Sequence, residues 1–224
     1  MTSPKLLFLR NFLKHPATLG SVVPSSRFLT ERLLRRVDFH RARVIVEYGP
    51  GIGNISTALV RKMHRDACCV LIEVNPDFVR HLRRVFERDT RVQIVHGSAA
   101  TVEGVVQKLG FEAADYVISG IPFSTMPEEL RFAILTASNR VLRRDGRLLV
   151  YQFTRSVLPD LTSVFDSVDE EFEPRNVLPA RLFYCCPKQS NGTSEGASHL
   201  TTEEHLSHLG PGSSTGVSPL SDVT

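Results

Sequence analysis

The chain has 224 residues, with 27 Lys and Arg against 24 Asp and Glu for a net charge of +3, a size that suits one α/β domain with appendages. Its four cysteines stand in two adjacent pairs, Cys68-Cys69 and Cys185-Cys186; neither has the C-x-x-C spacing of a zinc or redox site, and a core of this size needs no disulfide. No apolar run approaches the ~20 residues of a membrane-spanning helix, and Leu6 to Leu9 is too short for the hydrophobic region of a signal peptide, so a cytoplasmic location is expected.

The charge is unevenly divided. From Gln189 to the end there are four acids and no Lys or Arg, so the preceding body carries +7, and residues 1–41 hold eight bases against Glu31 and Asp38, a balance of +6. That first segment is expected either to face something anionic or merely to offer a soluble surface. Within it, Leu6, Leu7, Leu9, Phe12 and Leu13 recur at helical spacing over residues 4–15, with Lys5, Arg10, Lys14 and His15 at the edges. Such a helix docks against a domain or lies in a membrane interface with its bases toward anionic headgroups. A linker ending in Ser25 and Ser26, either of which suits a helix cap, precedes a helix expected over Arg27 to Val37, with Phe28, Leu29, Leu33 and Leu34 inward and Arg32, Arg35 and Arg36 outward.

Val44, Ile45 and Val46 are β-branched and uninterrupted, as in a strand buried on both faces of a parallel sheet, and Gly49, Gly51 and Gly53 follow before a helix predicted from Ile55 to Met63. Alternate glycines let a ligand sit against the main chain at the unpaired N–H groups of that helix. The spacing is GxGxG, neither the GxGxxG of a dinucleotide site nor a P-loop. A second strand, Cys68 to Ile72, ends in Glu73, near the ~20-residue offset at which doubly wound folds set an acid against a ribose. Asn75 and Pro76 open a helix over Asp77 to Phe86, and a third strand, Val92 to Val95, leads into His96, Gly97, Ser98 and Ala99. A fourth strand, Ala114 to Ser119, runs into GIPFSTMP; Pro127 to Leu142 has the longest helical pattern, and Arg143 to Gly146 reads as a turn before a fifth strand from Arg147 to Phe153. Val168 to Glu173 and Arg181 to Cys186 read as a closing antiparallel pair, while the Ser-, Gly- and Thr-rich run from Gln189 has no hydrophobic period and is expected to lack fixed structure. His199, His205 and His208 in that run have no acid or thiol spaced with them, so no metal is expected.

These features resemble the class I S-adenosylmethionine-dependent methyltransferases. Glu47, Gly49, Gly51 and Gly53 match the family's first motif, and Glu73 matches its ribose-binding acid. The resemblance implies a Rossmann-like seven-stranded α/β sheet flanked by helices, with S-adenosyl-L-methionine bound by Ser25, Ser26, Glu47, Tyr48, Gly49, Pro50, Gly51, Gly53, Asn54, Glu73, Val74, Gly97, Ser98, Ala99 and Ser119, and S-adenosyl-L-homocysteine as product. Ser98 stands where relatives carry an acid for the adenine amine. A narrower resemblance, covering about residues 6 to 187, is to the bacterial phospholipid N-methyltransferases, whose core is similar to that of the ribosomal RNA adenine dimethylases. It rests on the N-terminal run, on Pro24-Ser25-Ser26, and on Tyr151-Gln152-Phe153-Thr154. It rests also on Gly120, Ile121, Pro122 and Phe123 in place of the N/D-P-P-Y/F motif of amino-directed enzymes. It implies methylation of phosphatidylethanolamine and its methylated forms at an anionic membrane surface, with Gly120 to Phe123 orienting the amine by backbone carbonyls and the Phe123 and Tyr151 rings facing the developing cation. An RNA adenine, a soluble amine and a non-catalytic adapter are the alternatives; the preferred reading involves no nucleic acid and leaves the oligomeric state open. The expected divisions are a basic N-terminal segment at 1–41, a methyltransferase core at 42–188 and a tail at 189–224.

Overall fold

The computed structural model describes residues 26–188 other than Val177. The expected helix over residues 4–15, Ser25 and the tail from Gln189 lie outside the described residues.

The elements, in order, are α1 (Arg27–Leu34), β1 (Val44–Tyr48), α2 (Asn54–Lys62), β2 (Cys68–Glu73), α3 (Pro76–Val85), β3 (Val92–His96), α4 (Val102–Lys108), β4 (Ala114–Ser119), α5 (Glu128–Val141), β5 (Leu142–Gln152), α6 (Leu158–Val164), β6 (Phe165–Glu173) and β7 (Ala180–Pro187). The strands form one seven-stranded sheet in the order β3-β2-β1-β4-β5-β7-β6. The first five are parallel, and β7 runs antiparallel to both β5 and β6. This is the seven-stranded, helix-flanked sheet that the resemblance to the methyltransferases implies. Central strands β1, β2 and β4 are buried nearly throughout, as their unbroken apolar sequences require, whereas edge strand β3 is half-buried.

Two apolar layers flank the sheet. One gathers Val46, Tyr48, Val117, Leu135, Val150 and Phe183 with α4, α5 and α6; the other gathers Ile45, Leu59, Leu71, Leu82, Leu149 and Leu182 with α1, α2 and α3. Leu29, Leu33 and Leu34 of α1 belong to the second layer, so the boundary expected between residues 41 and 42 runs through one packed unit.

The helix ends follow local chemistry. Ser26 caps α1, its hydroxyl accepting the Leu29 N–H, and Asn75 caps α3 by accepting the Asp77 N–H, with Pro76 in the first turn. The expected turn at Arg143 to Gly146 is instead an irregularity inside β5: Ala114 pairs with Leu142 and Tyr116 with Arg147, so β5 absorbs the extra residues before its apolar run begins.

The exposed face of α1 departs from the expectation of a free basic surface. Arg35 and Arg36 each place a guanidinium nitrogen 2.6 Å from a Glu171 oxygen, and Arg32 Nε lies 2.8 Å from Glu173 Oε2, while Arg175 Nε holds Glu173 Oε1 at 3.0 Å. The anions facing Arg32 of α1 and Arg35 and Arg36 just after it are thus supplied by β6. Phe28, expected inward, is half-buried and sandwiched between Arg27 and Arg175, whose guanidinium carbons lie 4.8 and 4.5 Å from its ring centre.

Candidate cofactor and methyl-transfer site

The parallel strands deliver their C-terminal ends to one edge of the sheet, where the loops after β1, β2, β3 and β4 meet. Gly49, Gly51 and Gly53 all have positive φ, at 64°, 57° and 86°. At Gly49 a side chain is excluded by packing: a Cβ would stand 2.6 Å from Ile121 Cγ2, so glycine here lets the β4 loop close against the β1 loop. At Gly51 a Cβ would meet nothing within 4 Å. There the left-handed backbone, with open space beside it, makes the concave main-chain surface a ligand needs.

Glu73 ties this edge together. Its Oε2 accepts the Gly51 N–H at 3.1 Å, and its Oε1 accepts the Val74 and Asn75 N–H groups at 2.9 and 2.8 Å. Burial raises its pKa and these three amides pull it back, the net being a rise. A carboxylate has about four lone-pair sites, so Glu73 has room on Oε2 for one ribose hydroxyl while these amides stay bonded. The loop is braced further by Gly49 N–H donating to the Ile72 carbonyl and Gly97 N–H to the Glu73 carbonyl, at 2.9 and 3.0 Å. Ser98 caps a short 3-10 turn at Ala99 to Thr101, its hydroxyl oxygen accepting the Ala100 N–H, which leaves its own O–H to donate. Val74, Gly97 and Ala99 line the same edge; Pro50 is buried in the glycine loop, and Asn54 opens α2 with its side chain exposed.

Other predicted cofactor residues serve the frame. Glu47 is buried in β1 and accepts the Ser56 hydroxyl at 2.6 Å; burial pushes its carboxyl up to about 7 against that hydrogen bond. Tyr48 has no exposed surface, and its hydroxyl lies 3.1 Å from Ser138 Oγ in the core. Ser26 is committed to the α1 cap, and its N–H donates to Asn176 Oδ1 at 2.9 Å, which pins the start of α1 to the β6–β7 turn.

At the substrate end, two expectations are corrected. The Phe123 ring is fully buried among the core residues under the sheet, so it offers no face to a substrate cation. The Ile121 carbonyl accepts the Gln152 side-chain amide at 2.8 Å and the Phe123 N–H at 3.0 Å, and the Pro122 carbonyl accepts both Thr125 donors. Those carbonyls are engaged in shaping the loop. Ser119 ends β4 fully buried, and its Oγ has no hydrogen-bond partner among the described residues. A buried hydroxyl without a partner at the meeting point of two loops fits a site completed by a ligand. Gly120 N–H donates to the Tyr48 carbonyl at 3.1 Å, and the half-buried Tyr151 ring lies against the Gly120 backbone. Sequence reasoning missed Gln152, whose side-chain amide bridges the Ile121 and Tyr151 carbonyls at 2.8 Å each; its signal was a lone amide closing the apolar run LLVY.

A seven-stranded sheet with an open glycine cradle and an acid at the ribose offset fits a class I S-adenosylmethionine-dependent methyltransferase, and comparison with known proteins agrees. Residues 8–137 match the ribosomal RNA adenine dimethylase family, and the chain belongs to that family. It is 34% identical over 187 residues to the ornithine lipid N-methyltransferase of Singulisphaera acidiphila, covering 80% of this chain and 94% of that protein. It is 26% identical over 123 residues to a probable ribosomal RNA small subunit methyltransferase A of Methanosarcina barkeri, of whose length it spans 37%. Among solved structures, the 1,6-didemethyltoxoflavin-N1-methyltransferase of Burkholderia thailandensis, with bound S-adenosylhomocysteine, superposes at a TM-score of 0.60 and 14% identity over 82% of this chain and 88% of its own. A methyltransferase from Geobacter sulfurreducens gives 0.55 and 17%, over 79% and 89%. The cofactor is therefore S-adenosylmethionine.

Proposed function

We propose that this protein transfers methyl groups from S-adenosylmethionine to the amine of a lipid headgroup, with an ornithine-type headgroup ahead of phosphatidylethanolamine. The observation that carries the reading is the match to the ornithine lipid N-methyltransferase along 94% of that protein's length, which takes in the substrate end of the fold as well as the cofactor half. Phosphatidylethanolamine, the acceptor implied by the sequence resemblance, is named by none of the relatives described above.

Held by the glycine loop and Glu73, S-adenosylmethionine would supply an electrophilic methyl on a sulfonium, its S–C electron pair passing to sulfur as the amine lone pair takes the methyl. The protein's part is to present a neutral amine lone pair in line with that bond and to exclude water. The Ser119 hydroxyl and the Gly120 main chain are the polar groups at that point, and the hydroxyl end of the Tyr151 ring packs against Gly120 beside them. No side chain is assigned as the proton acceptor.

A second reading, methylation of an RNA adenine, is favoured by the family match over residues 8–137 and by the relatives named as ribosomal RNA methyltransferases. The chain spans 37 to 41% of those relatives, so the part of them that lies beyond the match is not represented in the comparison. Incubation with labelled methyl donor and, in parallel, ornithine lipid, phosphatidylethanolamine and a ribosomal RNA transcript separates the readings. Label in ornithine lipid supports the first, whereas label confined to RNA replaces it with the second.

A further inference from the structure

Exposed large apolar side chains are few among the described residues: Ile52, Val85, Phe153, Phe172 and Leu178. Three of the five come from the end of β5 and the β6–β7 hairpin. Because Gln152 pairs with Arg181 and Glu173 with Ala180, the hairpin turn lies at the same sheet edge as the C-terminal end of β5, and hence at the edge where the glycine loop binds its cofactor. Ile52 sits in that glycine loop. Four of the five exposed apolar residues therefore lie at this one edge of the sheet.

Cations accompany them. Glu171 and Glu173 meet the α1 arginines, so Phe172 between them points to the opposite face, where the Arg181 guanidinium lies 5.3 Å from its ring centre. Phe28, on the α1 face, is held between Arg27 and Arg175. Leu178 lies in the turn between the two faces and is 42% exposed. On β6, Glu170 is bridged by Arg155 and Arg181, Glu171 by Arg35 and Arg36, and Glu173 by Arg32 and Arg175. Six arginines meet these three glutamates; with Asp169 beside Arg36 and Glu31 beside Arg175 the six face five acids, and guanidiniums lie directly behind the apolar tips.

We propose that the tip of the β6–β7 hairpin, together with Phe153, is the surface on which the protein meets an anionic lipid bilayer, bringing the mouth of the site to the membrane. A protein partner covers one face of a sheet; here the apolar groups are spread over both faces and the turn, and share only the edge that would be immersed. Apolar tips backed by guanidiniums match the acyl boundary and the headgroup layer of such a membrane. The inference rests on the lipid-amine reading above, because a substrate amine anchored in a bilayer must reach the cofactor edge from the membrane side.

The test uses the full chain carrying Phe172→Ser and Leu178→Ser, two exposed positions outside the transfer machinery. Flotation with vesicles containing anionic lipid and the amine lipid is expected to show an affinity about ten- to hundredfold below that of the parent. Methylation of a short-chain, water-soluble analogue of the same lipid is expected to stay at the parent rate. Unchanged vesicle binding overturns the proposal, as does a substantial fall in melting temperature, which would mean that the two side chains are packed within the folded chain and not presented to a membrane. If neither lipid nor analogue is methylated by the parent, the functional reading fails, and the flotation result still judges the surface by itself.

Discussion

Tyr151 occupies the space a side chain on residue 120 would need: a Cβ at Gly120 would stand 2.9 Å from Tyr151 Cζ, 3.0 Å from Cε1 and closer still to the hydroxyl. Gly120 directly follows β4 and Tyr151 is the last residue but one of the adjacent β5, so the glycine sets where the ring lies at this end of the sheet. Gly120→Ala is expected to lower stability by ~1–3 kcal/mol through overpacking and to reduce turnover sharply, with cofactor affinity nearly unchanged. Adding Tyr151→Ala to that variant should restore the melting temperature without restoring turnover. Thermal melts and single-turnover rates on the four combinations check this, and additivity of the two changes would contradict the contact.

Glu73 holds three amides across the β1 and β2 loops. Glu73→Ala removes these and the remaining ribose acceptor together; since hydrogen bonds to charged groups are worth about 1.5–3 kcal/mol each, cofactor affinity should fall by at least tenfold and the melting temperature should drop as well. Ser98→Ala removes one weaker hydroxyl contact and should change affinity by less than Glu73→Ala does. Calorimetric titration with S-adenosylmethionine measures both.

The Glu47 carboxyl gives a pH signature of unusual sign. Burial raises its pKa from 4.5 to about 7, so between those values the folded protein holds a proton that the unfolded chain releases. Stability from this group is complete below about 4.5 and declines as pH rises to about 7, by up to roughly 3 kcal/mol. Glu47→Gln should therefore be more stable than the parent at pH 8 and lose that advantage toward pH 5. Urea unfolding across this range tests it, and parallel curves for the two proteins would contradict the assignment.

The α1–β6 clamp behaves in the opposite way. Arg175, with Arg32, holds Glu173 below the usual carboxylate range; at Glu171 burial pushes upward, but Arg36 and Arg35 outweigh it and the net shift is also down. Stability from these groups is present above their ordinary pKa of 4.5 and is lost as pH falls through the lower folded values. Glu173→Gln should lower the melting temperature at pH 7 by a few degrees, and the difference should shrink in acid and in high salt.

What the sequence made legible was local or periodic. The apolar runs of β1, β2 and β4 declare buried parallel strands, the three glycines declare the turn, and Asn75-Pro76 declares the start of α3. Long-range pairing was not legible: Arg35 and Arg36 reach Glu171 across 136 and 135 residues, and nothing in the +6 balance of the first 41 residues says that its counterion lies on the last strand pair. Phe123 was misread because a ring after Gly-Ile-Pro is as consistent with a core plug as with a pocket wall; only packing decides. The engaged carbonyls of Ile121 and Pro122 depend on Gln152 and Thr125, whose partners no spacing rule specifies. The start of β5 was placed late because Arg-Arg-Asp-Gly has turn composition, yet an irregularity lets it remain paired with β4.

The central claim, methyl transfer from S-adenosylmethionine to a lipid-borne amine at the edge formed by Gly51, Glu73 and Ser119, is tested most directly by mass spectrometry of the lipid extract from cells producing the protein. The account predicts amine lipids heavier by one or more methylene units, ornithine-type headgroups before phosphatidylethanolamine, and loss of the shift in the Gly51→Val variant, whose side chain would fill the open cradle. An unaltered lipid profile from a folded protein that binds the cofactor, with methylated adenine appearing in ribosomal RNA instead, would contradict it.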